Sequence, residues 1–411
     1  MIDPVQAQYE ALPYPPRDPR DEAKRLVIGS PSHLAELDHH VFGGRLDLAQ
    51  PFRALIAGGG TGDAAIMLAQ QLTDAKAAQA EIVYLDWSKA SRAVAEARAN
   101  ARGLTNLRFV TGSLLELDAL DLGAFDYIDC CGVLHHLDDP AAGLAALTRA
   151  LKPDGGMGLM LYGALGRIGV YHVQALLRSL NVSGEPPAAR VAIARKLLGQ
   201  LPATNWLKRN PFVSDHLVEG DSGLHDLLLH ARDRAYDVAE IASLTGQAGL
   251  RIATFIPPAR YEPSSYLSDA TLLKRIEGLS AIERAAFAER LAGNMKTHAF
   301  YAVRTSNPVA PPRPEPAAIP VWFDADPEPL RKALKPGGVL TLSVEGVSVR
   351  FPLPRLATVI AAAIDGRRTL DEVRAIAAAK AGPLDWPAFL AQFEPLYAAL
   401  HGSGKLFLRH A

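Results

Sequence analysis

The sequence predicts an α/β protein with a parallel sheet covered by helices on both faces, followed by a small α+β domain. Strand and helix signals alternate four times between residues 52 and 162, which is typical of such a sheet. A segment at 307–320 holds six prolines in fourteen residues, which indicates a stiff extended linker. Because 411 residues exceed one ordinary core, two or three domains are expected.

The composition narrows the classes of partner. Hydrophobic residues make up 49% and charged residues 21% of the chain, and the formal net charge is −1. This balance gives no electrostatic reason to expect nucleic acid or an anionic membrane as a partner. The first residues carry no basic start, and no stretch approaches the ~18 apolar residues of a membrane span. A cytoplasmic protein is therefore expected.

The two cysteines, Cys130 and Cys131, are adjacent within an apolar stretch. Neighbouring residues on a strand point to opposite faces, so a disulfide between them would be strained. Two reduced core residues are the simpler interpretation. The sequence shows no Cys/His spacing typical of zinc sites, and no metal is expected.

The main domain is expected to span 51–306, after an N-terminal cap segment at 1–50 with short helices near Asp21 and at 32–42. Ser88 is a good N-cap for the alanine-rich helix that follows it. The other elements predicted up to residue 162, in chain order, are a strand at 54–57, a helix from Asp63, strands at 82–85, 107–111 and 127–131, a helix at 139–151, a turn at 152–156 and a strand at 157–162.

Two mainly helical insertions, at 163–236 and 258–295, interrupt the alternation. The predicted elements in and between them are helices at 170–180, 188–201 and 238–249 and strands at 250–256 and 298–304.

Beyond the linker, residues 321–411 are predicted to form the small α+β domain. A hairpin around Glu345 and Gly346 comes first, and three helices and a last strand at 405–409 follow. The helix-turn-helix spacing with terminal strands looks like a winged helix.

A glycine-rich turn follows the first strand, at Gly58, Gly60 and Gly62. Lacking a Cβ, these residues let the backbone approach a ligand closely, and the helix N-terminus adds amide donors. Asp86, which ends the second strand, is placed to accept hydrogen bonds from ribose hydroxyls. Gly60, Gly62 and Ala65 also satisfy the G-x-G-x-x-A pattern of dinucleotide-binding proteins. These residues alone therefore leave an NAD(P)-dependent enzyme open.

Two further motifs discriminate between the cofactors. Residues 125–140 read Phe-Asp-Tyr-Ile-Asp-Cys-Cys-Gly-Val-Leu-His-His-Leu-Asp-Asp-Pro, and residues 151–156 read Leu-Lys-Pro-Asp-Gly-Gly. With the glycine turn and Asp86, they resemble the signatures of class I S-adenosylmethionine-dependent methyltransferases across 52–162, although Asp154 replaces the first glycine of the family's Leu-Lys-Pro-Gly-Gly. The resemblance implies a Rossmann-like seven-stranded sheet. It also implies S-adenosyl-L-methionine as cofactor and S-adenosyl-L-homocysteine as product.

The resemblance assigns roles in the cofactor site. The glycine turn would lie beneath the methionine and ribose, Asp86 would accept from the ribose hydroxyls, and Trp87 would line the adenine pocket. Ser113 stands where the family often has an aspartate, and Ile56 stands where many members carry an acidic residue. The cofactor's amino group must then find another partner. The full predicted cofactor set is Gly58, Gly60, Thr61, Gly62, Asp86, Trp87, Gly112, Ser113 and Gly132.

Methyl transfer from a sulfonium is an in-line displacement, in which proximity and orientation supply about 7–11 kcal/mol. A cationic or hydroxylic acceptor must also lose a proton. The candidate bases, His135, His136 and Tyr162, follow the fourth strand or end the fifth, where ligands of parallel sheets gather. A structural role for the two histidines, in the cofactor wall and at a turn, stays open.

The insertion at 163–236 is the predicted substrate lid, because insertions after the fifth strand commonly shape acceptor specificity in this family. Tyr171 and His172 within it, and Tyr14 in the N-terminal segment, are the candidate substrate-binding residues. Residues 221–236 are dense in His, Asp and Arg, and either line a polar pocket or form a solvated helix face. No Asp/Asn-Pro-Pro-Tyr/Phe motif follows the fourth strand, which counts against methylation of base amines or glutamine amides.

The overall layout resembles bacterial methyltransferases with an appended regulatory domain, some of which modify protein lysines. The predicted function is methyl transfer to an N or O acceptor on a protein side chain or a small molecule. A noncatalytic cofactor-binding scaffold and an NAD(P)-dependent enzyme are the alternatives. The C-terminal domain is a candidate for protein contacts, and the oligomeric state is left open.

Overall fold

The strands of the chain form one large sheet and two separate strand pairs. A computed structural model describes residues 3–180, 185–324, 326–344 and 347–411. The strands are β1 Phe52–Ala57, β2 Ala80–Asp86, β3 Leu107–Thr111, β4 Phe125–Cys131, β5 Leu151–Tyr162, β6 Leu250–Ile256, β7 Thr297–Arg304, β8 Ile319–Trp322, β9 Val339–Val344, β10 Val347–Pro352 and β11 Leu406–Arg409.

The large sheet has the strand order β3-β2-β1-β4-β5-β7-β6. Its strand pairs are parallel except those of β7, which runs antiparallel to both β5 and β6. The predicted Rossmann-like seven-stranded fold is confirmed. The strand order reverses between β1 and β4, and α/β proteins bind ligands at such a point, outside the carboxyl ends of the strands.

Helices flank this sheet and build the insertions and the C-terminal unit. The α-helices are α1 Pro4–Ala11, α2 Leu34–His40, α3 Asp63–Asp74, α4 Lys89–Ala101, α5 Leu117–Leu120, α6 Pro140–Ala150, α7 Val170–Ser179, α8 Pro187–Gln200, α9 Trp206–Arg209, α10 Asp215–Val218, α11 Gly220–Leu228, α12 Val238–Gln247, α13 Ala270–Ile276, α14 Ala281–Ala292, α15 Glu328–Ala333, α16 Ala357–Ala363, α17 Leu370–Ala381 and α18 Trp386–Gly402. Short 3-10 helices lie at Pro19–Ala23, Leu114–Glu116, Leu134–His136, Pro258–Tyr261 and Pro263–Ser265. Within the described parts of the chain, none of the helices is both long and apolar enough to cross a bilayer.

The core is divided between the two faces of the sheet. Leu55 packs into one hydrophobic cluster, whereas Ala54 and Ile56, its neighbours on β1, pack into the other. A third cluster lies within the first insertion, between α7 and Leu229, and a fourth lies within the C-terminal unit. The sheet is therefore covered on both sides, which leaves the ends of its strands as the place for a ligand.

The predicted turn at 152–156 is instead part of β5, which begins at Leu151. Phe125 pairs with Leu151, and the next pair joins Tyr127 to Gly156, so the intervening residues bulge out of the ladder. The Lys152 ammonium donates to both oxygens of Asp126 at 2.8 Å, which fixes this excursion against β4. Strand pairing therefore starts before the turn, and the turn is an interruption within the strand.

The elements that the sequence did not predict include α1, α5, β8 and α15. Helix α1 buries only Val5 and Gln8, so it lacks the apolar stripe by which a helix is recognised in a sequence. The segment near Asp21 is a 3-10 helix rather than an α-helix. The Ser88 cap is confirmed, since the Ser88 hydroxyl accepts from the Ser91 amide. The predicted turn at Glu345 and Gly346 lies outside the described residues.

The C-terminal unit combines the β9–β10 hairpin, helices α15 to α18 and the antiparallel pair β8–β11. Its α+β character is as predicted. The proline-rich segment that precedes it lies against the large domain, because the Arg251 guanidinium donates to the carbonyls of Asn307 at 2.9 Å and Val309 at 2.6 Å. Strand β8 begins inside that segment, at Ile319.

Candidate active site

A cavity of about 360 Å³ opens at the carboxyl ends of β1, β2, β4 and β5. Its volume falls in the range of small-molecule and cofactor sites. The wall combines backbone from the glycine turn, side chains from α1 and the segment after it, and one aspartate from α11. The lining residues are Val5, Tyr9, Tyr14, Pro15, Ile56, Gly58, Gly59, Gly60, Thr61, Gly62, Asp63, Ala64, Leu85, Asp86, Trp87, Ser91, Gly112, Ser113, Leu114, Asp129, Cys131, Gly132, Val133, His136, Leu137, Met160, Tyr162 and Asp226.

The glycine turn requires glycine for two separate reasons. Gly58 and Gly62 have φ angles of +78° and +100°, in the left-handed region that other residues rarely adopt. A Cβ at Gly58 would also lie 2.3 Å from the Val133 side chain, and one at Gly62 would lie 2.9 Å from the Ala95 Cβ. The turn therefore brings its bare backbone to the cavity wall, as a close-fitting ligand requires.

Asp86 is tied to this turn at the end of β2. One carboxylate oxygen accepts from the Gly60 amide and the other from the Ser88 amide, each at 2.8 Å. Burial raises the pKa of Asp86 above its usual value. Asp86 lines the cavity, and each of its oxygens can accept a further hydrogen bond, which suits the hydroxyls of a ribose. The fixed carboxylate is thus oriented before any ligand arrives.

The residues predicted to surround the adenine also lie together at the cavity. Trp87, Gly112 and Ser113 line the cavity beyond Asp86. The Ser113 hydroxyl accepts from the Leu115 amide at 3.2 Å and caps a short 3-10 helix. A hydroxyl with this local role is a weaker partner for an adenine amino group than a carboxylate.

A buried carboxylate that sequence reasoning missed, Asp129, lies on β4 beside Ile56 of β1. The two residues are register partners in parallel strands, and both line the cavity. Asp129 is 3% exposed, and its carboxylate accepts from the Ser32 hydroxyl at 2.6 Å. Burial raises its pKa to about 6. A sequence motif scan overlooks it because it sits in the middle of an apolar strand.

A carboxylate from the first insertion, Asp226 of α11, enters the other end of the cavity. Its two oxygens accept from the hydroxyls of Tyr9 at 3.1 Å and Tyr162 at 3.2 Å. Burial raises the pKa of Asp226 to about 6. The Tyr9 hydroxyl also lies 3.3 Å from Nε2 of His230. One insertion residue and one N-terminal residue thus complete a polar group around Tyr162.

The two predicted histidines take different positions. His136 lines the cavity, and its Nδ1 lies 2.9 Å from the Arg232 carbonyl. His135 stacks on the Tyr162 ring with centroids 3.9 Å apart, behind the cavity wall. Burial lowers the pKa of His136 to about 4 and lowers that of His135 as well. Both rings are therefore neutral at physiological pH.

Of the predicted substrate residues, the structure brings only Tyr14 to the cavity. The Tyr14 hydroxyl donates to Glu219 at 2.6 Å, which joins the N-terminal segment to the insertion. Tyr171 and His172 lie on α7, away from the lining; His172 is exposed, and the Arg167 guanidinium lies over the Tyr171 ring at 5.8 Å. The residues at or beside the cavity that the sequence did not indicate include Tyr9, Asp129 and Asp226, which line it, and Glu219, which contacts Tyr14.

The fold and this cavity define a class of protein. The sheet carries a single antiparallel strand, β7, inserted between β5 and β6. A glycine turn at the end of β1 and an acidic residue at the end of β2 meet in one cavity. Together these features describe an α/β methyltransferase with a nucleoside cofactor site at the strand ends.

Comparison with known proteins gives the same class. A family described as methyltransferase domain matches residues 55–157. An uncharacterized protein of Synechococcus sp. is 31% identical over 310 residues, which cover 74% of this chain and 72% of the relative. The demethylmenaquinone methyltransferase of Deinococcus radiodurans is 34% identical over 146 residues, 34% of this chain and 57% of that enzyme. The chain therefore spans less than two thirds of that enzyme's length.

Solved structures share the fold over nearly the whole chain. PKMT2 from Rickettsia typhi in complex with AdoHcy superposes with a TM-score of 0.63 at 15% identity, covering 93% of this chain and 76% of that one. The chain belongs to the class I S-adenosylmethionine-dependent methyltransferases. Its cofactor is S-adenosyl-L-methionine. The glycine turn therefore does not belong to an NAD(P)-dependent enzyme, the alternative that the sequence left open.

Proposed function

We propose that the chain methylates a basic amine, using S-adenosyl-L-methionine held in the cavity described above. The cofactor supplies a methyl group activated on a sulfonium. The glycine turn, with Thr61, receives its methionine and ribose, Asp86 accepts from the ribose hydroxyls, and Trp87 contacts the adenine. The proposed set is completed by Gly112, Ser113 and Gly132.

The observation that carries the amine proposal is the charge of the cavity. Among the residues that the structure describes, its lining contains four aspartates and neither lysine nor arginine. One of them, Asp63, is neutralised by ion pairs with Arg17 at 2.6 Å and Arg98 at 2.7 Å. The other three, Asp86, Asp129 and Asp226, leave the cavity anionic. An anionic cavity favours a cationic acceptor beside the cationic cofactor.

The acceptor end would hold the amine through Asp226 and its tyrosines. A carboxylate with a pKa of about 6 is ionised at neutral pH and accepts hydrogen bonds from an ammonium or amine. The hydroxyls of Tyr9 and Tyr162 orient this carboxylate from both sides. Of the three predicted catalytic residues, Tyr162 is the one whose hydroxyl donates to Asp226. The neutral ring of His136 lines the cavity, and the ring of His135 stacks on Tyr162 and holds it in place.

A protein side chain is the proposed source of the amine. Leu217 and Val218 are each 72% exposed and directly precede Glu219, the partner of Tyr14. Exposed apolar side chains at the rim of a site are typical of contacts with another protein. The exposed pair therefore adjoins the cavity wall and would receive residues that flank the target amine.

The experiment measures methyl transfer from radiolabelled S-adenosylmethionine to lysine-containing proteins and to free small amines. We expect transfer to a protein lysine, and the double variant Leu217→Ser/Val218→Ser should raise KM for the protein at least about tenfold while leaving small-amine KM unchanged. The exposed pair Leu291→Ser and Leu272→Ser, on the other insertion, serves as control. Methylation of hydroxyls with no amine product would overturn the proposal.

The domain organisation is proposed as predicted: an N-terminal cap at 1–50, the methyltransferase domain at 51–306, the linker at 307–320 and the small domain at 321–411. Support comes from the separate hydrophobic cluster of the last unit. The insertions at 163–236 and 258–295 belong to the methyltransferase domain in this proposal.

A further inference from the structure

Three histidines meet where the C-terminal unit packs on helix α2 of the N-terminal segment. His39 and His40 end helix α2, and His401 lies in the last turn of α18. One nitrogen from each ring lies within 4.8 Å of a nitrogen from each of the other two. We refer to His39, His40 and His401 as the interface histidine cluster. It lies outside the cavity lining and takes no part in the proposed methyl transfer.

The cluster offers nitrogen lone pairs that the protein leaves unused. Nδ1 of His40 and Nε2 of His401 are buried and have no hydrogen-bond partner, and the His40 side chain is 3% exposed. Buried imidazole nitrogens without partners are costly, because each has lost its water. In folded proteins such atoms call for an explanation, and a bound ion provides one.

His39 is already oriented as a ligand would be. Its Nδ1 lies 2.7 Å from the Leu408 carbonyl oxygen and 3.2 Å from the Leu408 amide nitrogen. Donation to the nearer carbonyl places the proton on Nδ1 and leaves the lone pair on Nε2. A metal-binding histidine almost always donates its other N–H to such an oxygen, which fixes the ring and its tautomer. The Tyr397 hydroxyl lies 3.4 Å from Nε2, at the long limit of a hydrogen bond.

Protons compete weakly with a metal ion for these three rings. Burial lowers the pKa of His39 to about 3 and that of His401 to about 4, and it lowers the pKa of His40 as well. The rings are therefore neutral, the form in which imidazole binds metals. The negative end of the α18 dipole points to the cluster from His401.

We propose that the interface histidine cluster binds a divalent transition-metal ion of the zinc type, through one nitrogen from each of the three rings. Three histidines with water in the fourth position form a known tetrahedral zinc arrangement. Nitrogens bonded at about 2.0–2.1 Å lie about 3.3 Å apart, so the ion would draw the three rings closer together. His401 is only partly buried, which gives the ion a path from solvent.

The ion would join the N-terminal segment to the C-terminal unit. His39 and His40 belong to the segment before the sheet, and His401 lies 361 positions after His40 in the sequence numbering. Such spacing matches no short metal-binding motif, so the sequence predicted no metal. Phe407 and Tyr301 flank the rings at centroid distances of 5.6 Å and 5.7 Å from His40, and they would limit water around the ion.

The test titrates Zn²⁺ into the tag-free, metal-stripped full chain by calorimetry, with Co²⁺ as an optical probe of the ligands. We expect one saturable Zn²⁺ site and Co²⁺ visible bands typical of tetrahedral nitrogen ligation. His401→Gln and His40→Gln should each weaken Zn²⁺ binding at least about tenfold. His410→Gln, which changes a histidine that lies beside Glu315, should bind Zn²⁺ as the wild type does.

Thermal unfolding provides a second readout, because an ion that binds only the folded chain raises Tm. Zn²⁺ should raise Tm of the wild type and of His410→Gln, and this shift should disappear in His401→Gln. Circular dichroism of each metal-free variant separates loss of binding from loss of fold. Two results would overturn the proposal: a wild-type chain without saturable Zn²⁺ or Co²⁺ binding, or folded His401→Gln and His40→Gln variants that bind like the wild type.

Discussion

Asp129 lies directly beside Ile56 across the β1–β4 pair, with both side chains at the cavity wall. Ile56 occupies the position at which many methyltransferases carry an acidic residue. A buried carboxylate therefore lies on the strand next to that position. We infer that Asp129 receives the amino group of the cofactor's methionine part in place of the missing acid.

Asp129→Asn should therefore weaken S-adenosylhomocysteine binding about tenfold or more at pH 8, because the carboxylate charge that attracts the ammonium of the methionine part is lost. The same change should stabilise the cofactor-free chain. Burial raises the pKa of Asp129 from 3.8 to about 6, so the folded chain binds more protons than the unfolded chain between these values, and stability falls as pH rises through this window. Removing that charge should increase the free energy of unfolding at pH 8 by about 1–3 kcal/mol. Calorimetry and urea unfolding measure the two effects, and a variant with unchanged cofactor affinity would refute the assignment.

The pH profile of methyl transfer should report Asp226. At saturating cofactor, kcat/KM for the amine acceptor should rise as pH increases through about 6, because the carboxylate must be ionised to hold the acceptor. Asp226→Asn should lower kcat/KM at least about a hundredfold and remove this acid limb. Asp221→Asn, on the exposed side of the same helix, should leave the profile as it is. An Asp226→Asn enzyme with the wild-type acid limb would contradict the role.

The glycine turn can be tested against a position with the same backbone and open space. Gly58→Ala must accept both a φ of +78° and a Cβ at 2.3 Å from Val133. Gly103→Ala faces a φ of +67° but no atom within 4 Å. We expect Gly103→Ala to lose about 1 kcal/mol of stability and to keep cofactor affinity. Gly58→Ala should lose more stability and at least about tenfold in affinity. Equal effects of the two variants would show that the close approach at Gly58 is unimportant.

The N-terminal segment should depend on a buried ion pair. Arg98 and Glu22 are joined at 2.7 Å with side chains 1% and 3% exposed, and Arg98 also donates to the Thr61 carbonyl in the glycine turn. Glu22→Ala would remove one of the two carboxylates that pair with the buried Arg98 and leave it only Asp63, which also pairs with Arg17. The free energy of unfolding should therefore fall by about 3 kcal/mol. Glu81→Ala removes the partly exposed partner of Arg53 and should cost less than about 1 kcal/mol. Urea unfolding compares the two; similar losses would contradict a special role for Glu22.

The sheet and most of the cofactor wall could be predicted from the sequence, because the residues that form them lie close together along the chain. The glycine turn, Asp86 and the Ser88 cap act within a few residues of one strand end, so their spacing carries the information. All nine predicted cofactor residues line the cavity. Their individual roles remain predictions until binding is measured.

The acceptor end was harder to predict because it is assembled from distant segments. Tyr9 precedes Asp226 by 217 positions, and Tyr14 precedes Glu219 by 205. Tyr171 and His172 belong to the same insertion as Asp226, but they lie on α7, away from the cavity lining. No periodicity in a sequence states which residue of a helical insertion returns to the sheet. The interface histidine cluster could not be predicted from the sequence for the same reason, because its residues come from distant segments of the chain.

The most direct test of the cofactor site is calorimetric binding of S-adenosylhomocysteine to the wild type and to Asp86→Ala, with NADH as the competing ligand. Asp86 holds the Gly60 and Ser88 amides and faces the proposed ribose position. We expect micromolar binding to the wild type, a loss of at least about tenfold in Asp86→Ala, and no saturable NADH binding. Wild-type affinity in the variant, or tighter binding of NADH, would contradict it.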